Sequence, residues 1–270
     1  MTAIALTIAG SDSSGGAGIQ ADLKTFAALG VYGTCAITAL TAQNTSGVQA
    51  IYKISPEFIV AQIDAVFTDL AVDAVKIGML FRPESATAVV RALVRHDARN
   101  IVLDPVMFAS SGASLLMPEA IDVLRYELIP RALVVTPNLP EAAALTGATI
   151  ARNEEEMEIQ AREILSLGAR SVLIKGGHGD GVDSVDLLIG QGDVVRLSAR
   201  RIASRNTHGT GCTLSSAIAA GLAKGLDLIT ATQAAKTYVT AAIAAAAGLA
   251  IGHGHGPLNH FYAQEQWRRS

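Results

Sequence analysis

The chain has 270 residues, of which 50% are hydrophobic and 17% are charged. A chain of this length buries about three quarters of its unfolded surface, so its core can form without a disulfide or a structural metal. The formal net charge is −3 at pH 7 and the sequence has no basic stripe, which argues against nucleic-acid binding as its main role.

The sequence also argues against a membrane or secreted protein. Its longest apolar run, residues 241–251, is too short to span a bilayer, and the first residues lack the basic and apolar regions of a signal peptide. The two cysteines, Cys35 and Cys212, lie far apart in the chain, which favours free thiols in a reducing compartment. We therefore expect a cytoplasmic protein with no membrane partner.

Short β-branched runs alternate with helical patterns along the whole chain. Strands are predicted at 4–9, 31–39, 74–77, 101–103, 133–135 and 172–174, with an antiparallel hairpin at 185–189 and 194–197. Helices are predicted over Ile19, Leu23 and Phe26, from Pro56, from Pro83, from Pro118, after the cap Asn153, and near 210–224 and 229–248. This alternation predicts one α/β domain over residues 1–270 with a mostly parallel sheet. Ligands of such sheets bind beyond the carboxyl ends of the strands.

A glycine-rich segment, residues 10–18, follows the first predicted strand. Its glycines let the backbone approach a ligand, and the helix after it adds a positive dipole end, which suits a phosphate or another anion. The alternative is a flexible turn between strand and helix. The segment matches neither a P-loop nor the glycine spacing of dinucleotide-binding sites.

Gln43 follows the second predicted strand and carries a donor and an acceptor on one planar group. That pair complements the edge of an aminopyrimidine. The alternative is an amide on a surface loop, and the position alone does not distinguish the two.

Polar residues follow three further strands. Asp104 ends one strand, and Asn138 and Glu141 follow another. Their oxygens suit Mg²⁺, which needs only one or two carboxylates. In the alternative, Asn138 is a turn residue and Glu141 a favourable charge in the first turn of a helix. Lys175 ends the next strand beside glycines, where it is either a phosphate-binding charge or an ordinary exposed lysine.

The segment 206–213, Asn-Thr-His-Gly-Thr-Gly-Cys-Thr, precedes a predicted helix. Its two glycines allow consecutive amides at the helix start to face one point, as an anion-binding site requires. Cys212 lies at the helix N-terminus, where the dipole favours a thiolate that could accept a proton from a hydroxyl. The alternative is a small buried cysteine. Cys35 is expected in the core. Three histidines near the C-terminus lack the spacing of a zinc site; they are His253, His255 and His260.

Taken together, seven segments in this order resemble the hydroxymethylpyrimidine/phosphomethylpyrimidine kinases of thiamine biosynthesis, in the ribokinase-like superfamily. The resemblance covers nearly the whole chain and rests on residues 8–22, 41–45, 76–79, 103–107, 136–141, 175–178 and 207–212. It implies a three-layer α/β/α fold, commonly a homodimer. It also implies two reactions, in which ATP phosphorylates 4-amino-5-hydroxymethyl-2-methylpyrimidine and then the resulting monophosphate.

The resemblance further implies a role for each matching residue. Cys212 is the implied base, within an anion hole that it forms with Gly209, Thr210 and Gly211. The residues implied around the pyrimidine are Gly10, Asp22, Gln43, Met79 and Val106. The residues implied at ATP are Lys175, Thr207 and Asn138. Glu141 and Asn138, with Asp104 through water, are implied to organise Mg²⁺.

Two other functions stay open on the sequence. A pyridoxal kinase of the same superfamily also acts on a hydroxymethyl group of a nitrogen ring, but such enzymes typically have aspartate where this chain has Cys212. A non-catalytic pyrimidine-binding regulator on the same scaffold is the other, and the set of Asn138, Glu141, Lys175 and Cys212 argues against it.

Overall fold

A computed structural model describes residues 2–108, 112, 114–177, 181–192 and 194–264. Within these ranges nine strands form one sheet, in the order β3-β2-β1-β4-β5-β6-β7-β8-β9. The strands are β1 (Ile4–Asp12), β2 (Tyr32–Asn44), β3 (Gly47–Lys53), β4 (Ala74–Ile77), β5 (Ile101–Leu103), β6 (Val134–Val135), β7 (Val172–Lys175), β8 (Asp183–Ile189) and β9 (Val194–Arg200). The six central strands, β2, β1, β4, β5, β6 and β7 in sheet order, are parallel, and β3, β8 and β9 pair antiparallel at the two edges.

Helices cover both faces of the sheet, which confirms the predicted three-layer α/β/α fold. The helices are α1 (Gly18–Ala28), α2 (Pro56–Asp69), α3 (Pro83–Arg95), α4 (Ala120–Val123), α5 (Leu139–Thr146), α6 (Glu154–Ser166), α7 (Thr210–Ala223) and α8 (Leu228–Ala246). A π-helical turn and a 3-10 turn extend α4 to Arg131. One core lies between the sheet and α2 to α6, and a second lies between the sheet and α1, α7 and α8. None of the helices in the described ranges is long and apolar enough to cross a bilayer.

Side chains of the central strands point alternately to the two faces of the sheet, so these strands contribute residues to both cores. In β1, Leu6 and Ile8 face the first core and Ala5 faces the second, because successive side chains of a strand point to opposite faces. All three are fully buried. Such strands appear in the sequence as continuous apolar runs, which is why they were predictable.

Most predicted elements are confirmed, and helix caps account for several boundaries. The hydroxyl of Ser55 accepts a hydrogen bond from the amide of Phe58, and Asn153 accepts one from Glu156. Two predictions were wrong. The helix expected from Pro118 begins only at Ala120. The second strand extends to Asn44 and pairs with β3, a strand that the sequence did not predict.

The β2–β3 hairpin changes the position of Gln43. The side chain of Asn44 accepts hydrogen bonds from the amides of Ser46 and Gly47, so the chain turns directly after β2. A register shift in the ladder falls between Ala42 and Gln43. Gln43 therefore lies near the end of a strand, next to a bulge that redirects its side chain, and not on a surface loop.

Candidate active site

A cavity of about 810 Å³ opens at the carboxyl ends of the parallel strands, where this class of sheet binds its ligands. All but one of the residues predicted at the site line it. These residues are Gly10, Gln43, Met79, Asp104, Val106, Asn138, Glu141, Lys175, Thr207, Gly209, Thr210, Gly211 and Cys212. Asp22 is the exception.

The sheet order divides the cavity into two ends. Strands β2, β1 and β4 lead to Gln43, Gly10 and Met79 on one side of β5. A Cβ on Gly10 would lie 3.1 Å from Sδ of Met79, so glycine leaves room for that side chain. Strands β6, β7 and β8 lead to Asn138 and Lys175 on the other side. Asp104, at the end of β5, lies between the two ends.

The glycine-rich loop after β1 binds a carboxylate of the chain itself. Oδ2 of Asp12 accepts hydrogen bonds from the amides of Gly16 and Ala17, at 3.1 and 2.8 Å, and Oδ1 accepts two from Ser14. Burial raises the pKa of Asp12, but the hydrogen bonds from His208, Ser14 and Ala17 outweigh it and bring that pKa to about 2. The loop does resemble an anion site, as its sequence suggested, but these amides are already used by Asp12.

His208 connects this loop to Gln43. Its Nε2 lies 2.9 Å from Oδ2 of Asp12 and 3.3 Å from Nε2 of Gln43. A Cβ on Gly16 would lie 2.5 Å from Cδ2 of the imidazole, so the ring packs directly on the loop backbone. The other end of the Gln43 amide lies 3.1 Å from Oγ1 of Thr41. The sequence analysis assigned no role to Asp12, His208 or Thr41, although all three belong to segments that it singled out.

At the centre of the cavity, Lys175 forms an ion pair with Asp104. Its Nζ donates to Oδ1 of Asp104 at 2.8 Å, and Thr136 and Ser215 also donate to Asp104. Burial raises the pKa of Asp104, but Lys175 and Lys76 lower it by more than burial raises it. The pKa is therefore below its ordinary value and this carboxyl is ionised. Lys175 is therefore not an ordinary exposed lysine but a largely buried cation, with a side chain that is 12% exposed, and this supports the proposed phosphate contact.

Whereas the pKa of Asp104 is lowered, the pKa of Glu141 is raised. Burial is the largest effect on its carboxyl and raises its pKa, Lys175 lowers it and Asp104 raises it, and the result is a pKa of about 7. Glu141 and Asn138 also form a capping box: Asn138 Oδ1 accepts from the amide of Glu141 at 2.9 Å, and Glu141 Oε2 accepts from the amide of Asn138 at 2.8 Å. The structural alternative for these two residues is thus confirmed, while both still line the cavity.

These oxygens fit Mg²⁺ bound together with a nucleotide better than a cage made of protein alone. The described part of the chain contains no group of three or more His, Cys, Asp or Glu residues able to hold a metal. Asp104 and Glu141 supply two carboxylates, and Mg²⁺ usually takes one or two, keeping waters and substrate phosphates for its remaining positions. Burial and the neighbouring Asp104 disfavour the ionised form of Glu141, and a bound divalent cation would favour it.

The N-terminus of α7 closes the cavity. Gly209 has a φ of 84°, in the left-handed region, and a Cβ there would collide with the carbonyl oxygen of Gly16. A Cβ on Gly211 would lie 3.2 Å from Nζ of Lys175, so the first turn of the helix faces that ammonium. The N-cap residue is Gly209 itself, which has no side chain to cap the helix. Its first amides and positive dipole end therefore face a cation-lined cavity, as an anion hole requires.

Cys212 lies in this turn, but its thiol is protonated. Burial raises its pKa, and Lys76 and a hydrogen bond from the amide of Gly18 reduce that effect, leaving a pKa of about 11. The expected thiolate, favoured by the helix dipole, is thus wrong for the protein without ligands. The reason is that desolvation of a charge inside the protein exceeds the contribution of one helix end.

Asp22 lies behind the cavity and not in it. Both of its oxygens accept from Nζ of Lys76, at 2.9 and 2.8 Å, and they also accept from Thr7 and Ser216. Both side chains of the Lys76–Asp22 ion pair are 0% exposed. Because Lys76 does line the cavity, Asp22 acts on the site through that lysine. The sequence signal for Lys76 was a charged residue inside the buried run of β4.

The far end of the cavity holds a further ion pair, which the sequence analysis missed. Nζ of Lys236, on α8, lies 2.7 Å from Oδ2 of Asp186, on β8, and the amide of Gly176 donates to Oδ1. Val239 and Ile243 of α8 line the same end. The predicted segment 175–178 ends at His178, which lies outside the described residues.

Comparison with known proteins decides the family. The model of the phosphomethylpyrimidine kinase family matches residues 12–259. The chain belongs to the phosphomethylpyrimidine kinase family. A hydroxymethylpyrimidine/phosphomethylpyrimidine kinase of Rhizobium meliloti is 60% identical over 262 residues, covering 97% of this chain and 98% of that protein. A thiamine biosynthesis bifunctional protein of Geobacter sulfurreducens is 53% identical, covering 97% of this chain and 53% of that longer protein.

Solved structures of similar proteins extend the family assignment to the fold. A phosphomethylpyrimidine kinase of Clostridium difficile is 48% identical with a TM-score of 0.79, covering 89% of this chain and 99% of that one. A pyridoxal kinase of Bacillus subtilis, solved as an ADP complex, is 38% identical with a TM-score of 0.91, covering 98% of this chain and 100% of that one. The phosphomethylpyrimidine kinase family and this pyridoxal kinase therefore share one architecture.

Proposed function

We propose that this chain is an ATP-dependent kinase of thiamine biosynthesis, which phosphorylates 4-amino-5-hydroxymethyl-2-methylpyrimidine to its monophosphate and then to its diphosphate. One observation carries the proposal. The uncapped first turn of α7 reaches both ends of the cavity, because Gly209 packs on the loop after β1 and Gly211 faces Lys175. A phosphoryl group held there lies between an alcohol at the Gln43 end and a nucleotide at the Lys175 end.

Phosphoryl transfer depends mainly on alignment and on neutralisation of charge. In this proposal the amides of residues 209–212 hold the transferred group, and Lys175 neutralises charge on the nucleotide phosphates. Thr207 and Asn138 border the nucleotide. Lys236 and the apolar residues of α8 extend its end of the cavity.

Gly10, Gln43, Met79 and Val106 border the pyrimidine in this proposal. Asp22 keeps Lys76 charged beside them, because burial alone would lower the pKa of Lys76 and Asp22 raises it. This division leaves the aromatic substrate between an amide and apolar side chains, as small-molecule sites usually do.

Magnesium fits the proposal as a companion of ATP. Glu141 and Asn138, with Asp104 through water, would hold the ion, which offsets phosphate charge when it is bound. Lys175 is the cation whose charge acts on both of these carboxylates, Asp104 and Glu141.

Cys212 has a role mainly in the first reaction. The thiol first gives its own proton to solvent, and the thiolate, which Lys76 and the Gly18 amide favour, then accepts the proton of the substrate hydroxyl. In the second reaction the attacking oxygen belongs to a phosphate whose second pKa is about 6, so it is already largely ionised. A base is then hardly required.

The test is mass spectrometry of the pyrimidine incubated with ATP, magnesium and the protein, with pyridoxal in a parallel reaction. We expect the monophosphate followed by the diphosphate. Faster turnover of pyridoxal would replace the proposal with a pyridoxal kinase, an activity named for a protein with a TM-score of 0.91 to this chain. Binding of the pyrimidine without consumption of ATP would indicate a regulator.

We also propose that residues 1–270 act as one cytoplasmic domain that forms a homodimer. The hairpin of β2 and β3 supports dimerisation, because Leu40 and Tyr52 pair on it and are 41% and 69% exposed. Adjoining apolar side chains that are exposed, as these two are, favour a protein interface. Light scattering after gel filtration should give twice the monomer mass for the wild type. The substitution Tyr52→Ser should lower the measured mass toward that of the monomer. A monomer at micromolar concentration would contradict the proposal.

A further inference from the structure

The amide of Gln43 lies between two groups whose hydrogen-bonding roles are fixed by other contacts. Its Nε2 lies 3.3 Å from Nε2 of His208, and its Oε1 lies 3.1 Å from Oγ1 of Thr41. A half-turn about the last side-chain bond exchanges the two ends of an amide, so the neighbours decide which end faces which.

On one side, His208 has to donate. Asp12 is an ionised carboxylate and can only accept, so the Nε2 of His208 that lies 2.9 Å from it carries a hydrogen. A ring nitrogen that carries a hydrogen has no lone pair for the NH₂ group of Gln43. Its one hydrogen lies toward Asp12 and can be shared only with a second acceptor, so the end of the amide that faces His208 favourably is the carbonyl oxygen.

On the other side, Thr41 has to accept. Its single hydroxyl hydrogen is donated to the carbonyl oxygen of Ser11 at 2.8 Å, which leaves lone pairs toward Gln43. The end of the amide that faces Thr41 favourably is therefore the NH₂ group. Two independent neighbours thus favour the same half-turn, with Oε1 toward His208 and Nε2 toward Thr41.

We propose that His208 and Thr41 are positioning residues that lock the Gln43 amide in this orientation and so set the order of donor and acceptor that the cavity presents to the substrate ring. This inference deepens the proposed function and rests on it. Asp12 anchors the arrangement, since it fixes the hydrogen on His208 and is itself held by the loop after β1. All four side chains line the cavity.

The locked amide selects one ring edge. After its contacts with His208 and Thr41, the amide keeps one lone pair on the oxygen and one hydrogen on the nitrogen. The 4-amino group and neighbouring ring nitrogen of the proposed substrate present one donor and one acceptor, which match this pair. A 4-oxo analogue presents them in the reverse order. It can match only if the amide rotates, or if the ring turns over and carries its hydroxymethyl arm away from Cys212.

The experiment compares the 4-amino substrate with its 4-oxo analogue, in wild type, His208→Ala and Thr41→Val. We expect the wild type to prefer the amino compound about a hundredfold in kcat/KM, since a mispaired buried polar group is strongly rejected. Each variant should reduce that preference about tenfold, through a higher KM for the amino compound, while the KM for ATP changes less than about twofold. Thr41→Ser keeps the hydroxyl and should retain the wild-type preference.

Equal losses on both compounds, with the preference unchanged, would mean that His208 and Thr41 only support the fold, and would overturn the inference. If His208→Ala does not fold, the preference for the amino compound in Thr41→Val, compared with that in Thr41→Ser, tests the inference. Calorimetric binding of both pyrimidines without ATP separates the two proposals. Amino-selective binding without turnover removes the proposed kinase activity and keeps the amide lock, whereas selective turnover that both variants retain removes only the lock.

Discussion

Nζ of Lys76 lies 2.9 and 2.8 Å from the two carboxylate oxygens of Asp22, and neither side chain is exposed. Thr7 of β1 and Ser216 of α7 donate to the same carboxylate. Ser216 lies one helical turn after Cys212, so this ion pair connects the sheet to the helix whose first turn closes the site. A buried pair of this kind is costly to break from one side, because an unpaired charge remains inside the protein.

Removing one member of the ion pair should destabilise the protein strongly. We expect Lys76→Met to lower the free energy of unfolding by about 3–5 kcal/mol, as for other buried pairs that lose one partner. Adding Asp22→Asn should recover part of that loss, since no uncompensated charge remains. Denaturation in guanidinium measures both effects. Removal of the exposed Arg99–Asp97 pair is the control and should leave stability unchanged; a similar loss there would contradict the argument.

Glu141 should make stability fall between pH 4.5 and pH 7. Its pKa is raised from 4.5 to about 7, so the folded protein binds a proton that the unfolded chain releases. That contribution, about 3 kcal/mol at about 1.4 kcal/mol per pKa unit, is fully present below pH 4.5 and is lost as the pH rises through 7. Glu141→Gln should remove this pH dependence in urea titrations.

Glu156 provides the matched control for Glu141. It occupies the same capping position, three residues after Asn153. The pKa of Glu156 is lowered, because hydrogen bonds from Arg152 outweigh the small effect of burial on this side chain. Glu156→Gln should therefore leave the fall between pH 4.5 and 7 in place. If Glu141→Gln and wild type show the same profile, the carboxyl is ionised throughout and the assignment is wrong.

Cys212→Ala should damage the first phosphorylation more than the second. We expect a loss of about 10²–10⁴-fold in kcat for the hydroxymethyl substrate, the usual contribution of a general base, and less than about tenfold for the monophosphate. Separate assays with each substrate measure the two rates. Cys35→Ala, which changes the other free cysteine, should leave both rates unaltered, and equal losses in both reactions for Cys212→Ala would argue against a base.

The glycines at the start of α7 should respond differently to alanine. Gly209→Ala meets both a positive φ and the carbonyl of Gly16, so we expect a loss of stability well above 1 kcal/mol. Gly225 also has a positive φ but no atom near its added Cβ, and Gly225→Ala should cost only about 1 kcal/mol. Gly211→Ala should keep the melting temperature and lower kcat, because its methyl group would lie 3.2 Å from Nζ of Lys175. Unchanged turnover in Gly211→Ala would exclude the phosphoryl group from that turn.

The sequence by itself determined the class of fold and the location of the chemistry. Continuous apolar runs at residues 101–103 and 172–174 are expected where helices cover both faces of the sheet. In a parallel sheet the residues after such strands meet at one edge, so Asp104 and Lys175 were predictable as neighbours. The 207–212 segment was placed beside them by the family resemblance. These are local patterns combined with one topological rule.

Only the tertiary structure decided the charge state of those residues and their partners. Whether Cys212 is a thiolate, whether Glu141 carries a proton, and whether Asp22 faces the substrate or Lys76 all depend on burial and on charges that lie far apart in the chain. The same holds for Gln43, whose amide is oriented by a histidine 165 positions away. Desolvation and hydrogen-bond partners are set by packing in three dimensions, and a linear pattern of residues carries no measure of either.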